Sequence, residues 1–211
     1  MIVIGITGSI GMGKTTVSAM LRLLNIPVFD SDKEVKEILD YNNEVKEKIS
    51  SIWPDAIKSS QSEKKINKVL LSNKIFKNRR EKKLLEKIIH PIVKNRRKKF
   101  IKQNKNSYIV GLDIPLLFET GTYKECDYIF LVNTSKRNQK KRVLARQNMT
   151  EEKFNLINDN QWSYKKKIQK KPFLITSTFG KLISFIIVLL YLLKIIINNK
   201  VKKNERISIR H

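Results

Sequence analysis

The sequence predicts an α/β fold built on a five-stranded parallel sheet flanked by helices, and two observations predict it. Short apolar, β-branched runs alternate with longer stretches whose apolar residues recur at helical spacing. The first of those runs also breaks at a glycine-rich loop that opens directly into a helical pattern. Such alternation gives parallel strands covered by helices on both faces, with ligands held beyond the carboxyl ends of the strands.

Taken in order, Ile2 to Ile6 reads as the first strand and Thr15 to Leu24 as the helix after the loop. Ile26 to Phe29 is too short for a helix and runs into Asp30 and Asp32, so it reads as a second strand with acidic groups at its carboxyl end. From Glu34 to Lys105 the chain is charged and helix-friendly, broken near Trp53-Pro54 and His90-Pro91, and residues 34–105 read as an inserted helical subregion. Tyr108 to Ile114, stopped by Pro115, and Tyr128 to Asn133 are strands of the fully buried type. Lys136 to Lys170 is a basic helical stretch, Phe173 to Thr176 a short last strand, and Leu182 to Ile197 a strongly apolar terminal helix. No internal repeat is present, and residues 1–211 are expected to form one domain.

The terminal run is more apolar than a solvent-facing helix requires. It falls short of the roughly 20 apolar residues that span a bilayer, and Ser184 and Lys194 interrupt it. A helix buried against the sheet is therefore expected, and membrane contact is not. The lone Cys126 has no partner for an internal disulfide, and no basic region precedes the apolar N-terminal run, which together suit a reducing, cytoplasmic setting. With 44 Lys+Arg against 19 Asp+Glu the formal charge is +25, enough to attract polyanions. That charge is spread along the chain, together with abundant asparagine and isoleucine, instead of being gathered in one stripe or tail. It reads as composition filling permissive surface, with no specific nucleic-acid partner expected and a monomer or weak homo-oligomer as the assembly.

The decisive motif is Gly8-Ser9-Ile10-Gly11-Met12-Gly13-Lys14-Thr15, a full match to G-x-x-x-x-G-K-[ST], followed by Thr16. Glycines are needed there because main-chain N–H groups must curl round phosphate oxygens, where side chains would block the approach or forbid the backbone angles. Lys14 reaches the β- and γ-phosphates as a mobile point charge, the Thr15 hydroxyl can ligate Mg²⁺, and the helix N-terminus adds partial positive charge. The loop names a nucleoside triphosphate and leaves the reaction open, since GTPases, motor ATPases and small-molecule kinases share it.

In its surroundings, the segment from Ile4 to Val17, with Val28-Phe29-Asp30-Ser31-Asp32, resembles dephospho-CoA kinase. Ile89-His90-Pro91 is similar to that family's His-Pro signature, and Pro115-Leu116-Leu117-Phe118-Glu119 to its Pro-Leu-Leu-Phe-Glu segment. Gln139, Arg142, Arg146 and Gln161 fall on its Gln-x-x-Arg-x-x-x-Arg pattern and following glutamine. The resemblance implies a P-loop kinase fold with a helical acceptor-binding region and a mobile lid, here residues 136–170. It also implies transfer of the ATP γ-phosphoryl group to the 3′-hydroxyl of dephospho-CoA, the last step of coenzyme A synthesis. Another small-molecule or nucleotide kinase on the same scaffold is the alternative. The acidic stretch that family members carry in the last strand is replaced here by Lys171-Pro172-Phe173-Leu174-Ile175-Thr176-Ser177.

Phosphoryl transfer requires in-line placement, charge neutralisation and a group that accepts or orients the nucleophile's proton. Asp32 matches the family's catalytic aspartate and is the expected base for the ribose hydroxyl, while an aspartate there can equally cap the next helix. Asp30 shares both readings. Asp113, closing an apolar strand, either holds the water shell of Mg²⁺ or caps the turn before Pro115. Glu119 either touches the acceptor or braces its loop. Arg142 and Arg146 stand four apart on an expected helix, so that both reach one anion from a lid. His90 either fixes a turn before Pro91 or contacts the acceptor.

Overall fold

The structure is a computed structural model describing residues 1–59, 64–147 and 149–208. Residues 60–63 of the expected insertion, residue 148 of the expected lid and residues 209–211 lie outside the described residues. In chain order the elements are β1 (Ile2–Thr7), α1 (Lys14–Leu23), β2 (Val28–Asp30), α2 (Ser31–Tyr41), α3 (Asn43–Ile52), β3 (Ile57–Ser59), β4 (Lys64–Ile66), α4 (Lys68–Lys77) and α5 (Arg79–Gln103). They continue with β5 (Ile109–Asp113), β6 (Tyr128–Asn133), α6 (Lys136–Leu144), α7 (Glu151–Asp159), α8 (Tyr164–Ile168), β7 (Phe173–Thr176) and α9 (Lys181–Ser208). The chain divides into two compact units, Met1–Val28 with Asn106–His211, and Phe29–Lys105.

The main sheet has the order β2-β5-β1-β6-β7. The β5–β1, β1–β6 and β6–β7 pairings are parallel, with Ile6 of β1 opposite Asp113 on one side and Phe130 on the other. A parallel sheet needs both faces covered, and the sequence supplies the cover. Val17, Met20 and Leu21 of α1 and Val188, Leu192 and Ile195 of α9 pack with Ile2, Ile4, Ile6, Phe130 and Ile175 in one core. Cys126 Sγ and Leu117 lie so close to Gly5 that a Cβ there would stand 2.8 Å from each. All five expected strands are present, and β6 and β7 have the expected bounds.

The second unit is built by α2 to α5 and the β3–β4 hairpin. Its core contains Ile38, Val45, Ile49, Trp53, Leu71, Leu85, Ile89 and Val93, and the Trp53 indole N–H donates to Glu81. The hairpin was not foreseen in the sequence. The break at Trp53-Pro54 holds, since α3 ends at Ile52 and Pro54 opens a 3-10 turn. The expected break at His90-Pro91 is corrected, because α5 runs unbroken through Pro91 for 25 residues. Pro91 withholds one N–H from the carbonyl of Lys87, but both residues are exposed. Leu85, Ile89 and Val93 hold the opposite, buried side in place.

The basic stretch 136–170 is three separate helices, not one. The terminal helix is longer than expected, and Lys181–Val201 is apolar and long enough to cross a membrane by length and composition, which corrects the expectation that it falls short. Ser184 does not break it, because its hydroxyl donates to the carbonyls of Thr176 and Gly180 at 2.9 and 2.8 Å. One side packs on the core as expected; the other does not.

Candidate active site

The phosphate loop spans Gly8 to Gly13 between β1 and α1. Gly8 is required by close approach, since a Cβ there would stand 2.4 Å from the Val132 carbonyl oxygen. Gly13 is required by conformation: at φ 95 it turns the chain into α1 through the left-handed region. No side chain caps α1; the Thr16 N–H turns back to the Gly13 carbonyl at 3.1 Å, and the helix N-terminus brings partial positive charge to the loop. Lys14 and Thr15 open that turn, with Thr15 exposed and Lys14 half-buried.

Polar ties from the C-terminal half of the chain fasten the loop, among them a hydrogen bond from the Thr134 N–H to Met12 Sδ at 3.2 Å. Gln139 Nε2 donates to the Ile10 carbonyl at 2.9 Å, and the Ile10 N–H donates to Gln161 Oε1 at 3.2 Å. Ser177 Oγ donates to the Met12 carbonyl at 2.9 Å. Lys167 Nζ donates to Ser9 Oγ at 3.1 Å. Arg142 holds Ser177 in place, its guanidinium donating to the hydroxyl at 2.7 Å and to the carbonyl at 2.9 Å. Ser177 therefore links Arg142 to the loop at the position where the acidic stretch of the family is missing.

Lys167 is 1% exposed. Burial pushes its ammonium below the ordinary lysine range; the Glu119 carboxylate opposes that shift, and the charge on Lys14 adds to it. Glu119 Oε1 accepts the Trp162 N–H at 2.6 Å and lies 3.7 Å from Lys167 Nζ, while its buried Oε2 has no partner among the described residues. Through the first of these bonds Glu119 fixes Trp162, whose ring stacks on Phe118 at 5.8 Å and 13° with Lys166 4.0 Å above it.

Asp113 ends β5 beside the loop. It is 6% exposed, and its Oδ2 accepts the Ser18 hydroxyl at 2.6 Å. Ser18 stands three residues after Thr15, on the same side of α1, so the carboxylate lies alongside the helix that carries the expected metal ligand. A cavity of about 530 Å³ adjoins the loop, lined by Ser9, Met12, Asn133, Thr134, Gln139 and Trp162 among others.

Arg146 lies in the turn after α6, which ends at Leu144, so the expectation that it shares a helical face with Arg142 is corrected. The basic run loses its helix there because Ala145 and Arg146 close the last turn on Lys141 and Val143. In the second unit, Asp30 is the residue that caps α2, its Oδ1 accepting the Lys33 N–H at 3.0 Å. That leaves Asp32 as an exposed residue in the first turn of α2. His90 is exposed midway along α5, so it fixes no turn.

The family pattern described as dephospho-CoA kinase matches residues 2–205. The chain belongs to the dephospho-CoA kinase family. A dephospho-CoA kinase from Zymomonas mobilis is 38% identical over 175 residues, 83% of this chain and 87% of that relative. A solved dephospho-CoA kinase from Campylobacter jejuni superposes with a TM-score of 0.66 at 27% identity, covering 93% of this chain and 98% of the other. A crystal structure from Thermus thermophilus reaches 0.76 at 28% identity, covering 92% and 96%. As a dephospho-CoA kinase family member, the chain is an ATP-dependent kinase acting at the final step of coenzyme A biosynthesis. Three residues tied to the loop or to Asp113 were given no role from the sequence: Lys167, Ser177 and Ser18. Lys167 is one of three consecutive lysines, and the two serines stand in no motif.

Proposed function

We propose that this chain transfers the γ-phosphoryl group of ATP to the ribose 3′-hydroxyl of dephospho-CoA with the following division of labour. The main-chain amides from Gly8 to Thr16 and the Lys14 ammonium hold the triphosphate. Asp32 accepts the proton of the attacking hydroxyl. Arg142 positions Ser177 and with it the loop, and Arg146 and Lys167 add positive charge on the lid side. His90 serves the acceptor. One observation carries the reading: the phosphate loop is fastened directly through Gln139, Gln161 and Lys167, and through Ser177 to Arg142, to residues 136–170, on which a lid is expected. Lid position and loop geometry are thus coupled, and charge stabilisation is strongest where a lid excludes water.

Thr15 and Asp113 would hold Mg²⁺. Both offer hard oxygen donors, as this ion prefers, and Asp113 is buried beside α1. No trio of His, Cys, Asp and Glu side chains forms a cage among the described residues, which suits an ion that keeps water and phosphate oxygens in most of its positions. Bound there, it would supply neutralisation of the phosphate charge. ATP as substrate and the lone Cys126 suit the cytoplasm.

The test is ADP formation with dephospho-CoA as acceptor. Lys14→Ala is expected to lower turnover by about a hundredfold or more and to weaken ATP binding. Asp32→Asn is expected to lower kcat with little change in the KM for ATP. Unaltered turnover in Asp32→Asn would remove that residue from the reaction, and phosphorylation of a nucleoside monophosphate in place of dephospho-CoA would overturn the acceptor.

A further inference from the structure

The terminal helix α9 is apolar on two sides. Toward the protein, Val188, Leu192 and Ile195 are buried in the core with Ser184 beside them. Away from it, Leu182, Ile186, Leu190, Leu193, Ile197 and Val201 recur every three or four residues, and Leu182 and Ile197 are 72% and 59% exposed. That spacing draws one stripe along the helix, roughly 28 Å long at a rise of 1.5 Å per residue. Only 22% of the apolar window is buried in the protein. A continuous apolar stripe of that length marks a contact surface.

Charge decides what covers it. Lys200 is exposed along the same stripe and Lys194 on its flank, and the whole chain carries +25. A second copy would bring that charge against itself, whereas an anionic surface is attracted by it. The buried side of α9 belongs to the enzyme's core and cannot also face lipid, so the helix lies in the plane of a membrane and does not cross it. We propose that the exposed face of α9 seats this chain on anionic bilayers, the apolar stripe entering the interface and the lysines meeting lipid phosphates and carboxylates.

The test is co-sedimentation of the full chain with vesicles of phosphatidylcholine alone and with vesicles in which about a third of the lipid is phosphatidylserine. Binding is expected to the anionic vesicles only, to be reversed by high salt, and to be released by alkaline carbonate. Ile186→Glu with Leu190→Glu changes two exposed positions; it should weaken vesicle binding by about tenfold or more while leaving turnover with ATP and dephospho-CoA in solution unchanged. Absence of vesicle binding, equal binding to neutral vesicles, or retention in the pellet after carbonate would each overturn the proposal. So would a dimer, seen by sedimentation velocity, that the double variant dissociates without any change in lipid binding.

Discussion

A buried ammonium next to a phosphate loop has measurable consequences at the scale of one residue. Lys167 titrates below its ordinary 10.5 in the folded chain. Between the lowered value and 10.5 the unfolded chain holds more protons, so stability rises with pH through that window and does not change below it on this account. Thermal unfolding followed across the window should show that rise in the native protein and lose it in Lys167→Met. That substitution also leaves the Glu119 carboxylate buried beside no cation, at a cost of about 3 kcal/mol, and adding Glu119→Gln should recover most of it. Denaturant unfolding of the single and double variants reads the difference; equal stabilities would show that the pair contributes nothing. Ser18→Ala removes the hydroxyl that donates to buried Asp113 at 2.6 Å and should cost about 1 to 3 kcal/mol. Little of this was readable beforehand. Lys165, Lys166 and Lys167 look alike on a five-residue helix, and the partner that sets Lys167 apart, Ser9, is 158 residues away. The loop itself was fully legible, because its backbone needs glycine at fixed spacing whatever the rest of the chain does.

At the scale of the element, the strands were legible and the helix ends were not. A buried parallel strand must be apolar throughout, and β1, β5, β6 and β7 each announced themselves in that way. The β3–β4 hairpin has three residues per strand, too few to establish an alternating pattern. Pro91 was read as a helix break because proline removes a donor; α5 absorbs the loss on its exposed side. Pro91→Ala should therefore restore one helical hydrogen bond and stabilise the second unit by about 1 to 3 kcal/mol, visible as a higher urea midpoint. An unchanged or lowered midpoint would show that the proline's shape is itself used in packing. Gly8→Ala is the opposite case. The added methyl meets the Val132 carbonyl at 2.4 Å, main chain against main chain, so no side chain can move aside. Loss of ATP-induced thermal stabilisation is the expected result, and a normal shift would show that the two strands can part.

For the whole molecule, a charge of +25 and two anionic substrates set the ionic-strength response. Raising salt should lower kcat/KM for both substrates, up to about tenfold, with kcat nearly constant, since screening acts on capture more than on the bound complex. A fall in kcat alone would point to a salt-sensitive step after binding. The strand order β2-β5-β1-β6-β7 could not be read from the strands, which show their burial but not their neighbours. The ties on Ile10 have a similar long reach, 129 residues to Gln139 and 151 to Gln161. A ribosome adds about 5 to 20 residues each second, so Ile10 is made on the order of ten seconds before its glutamines exist. The nascent chain thus carries its nucleotide cradle without these ties until a further 151 residues have been joined, and the cradle takes its final form well after its own residues have been made.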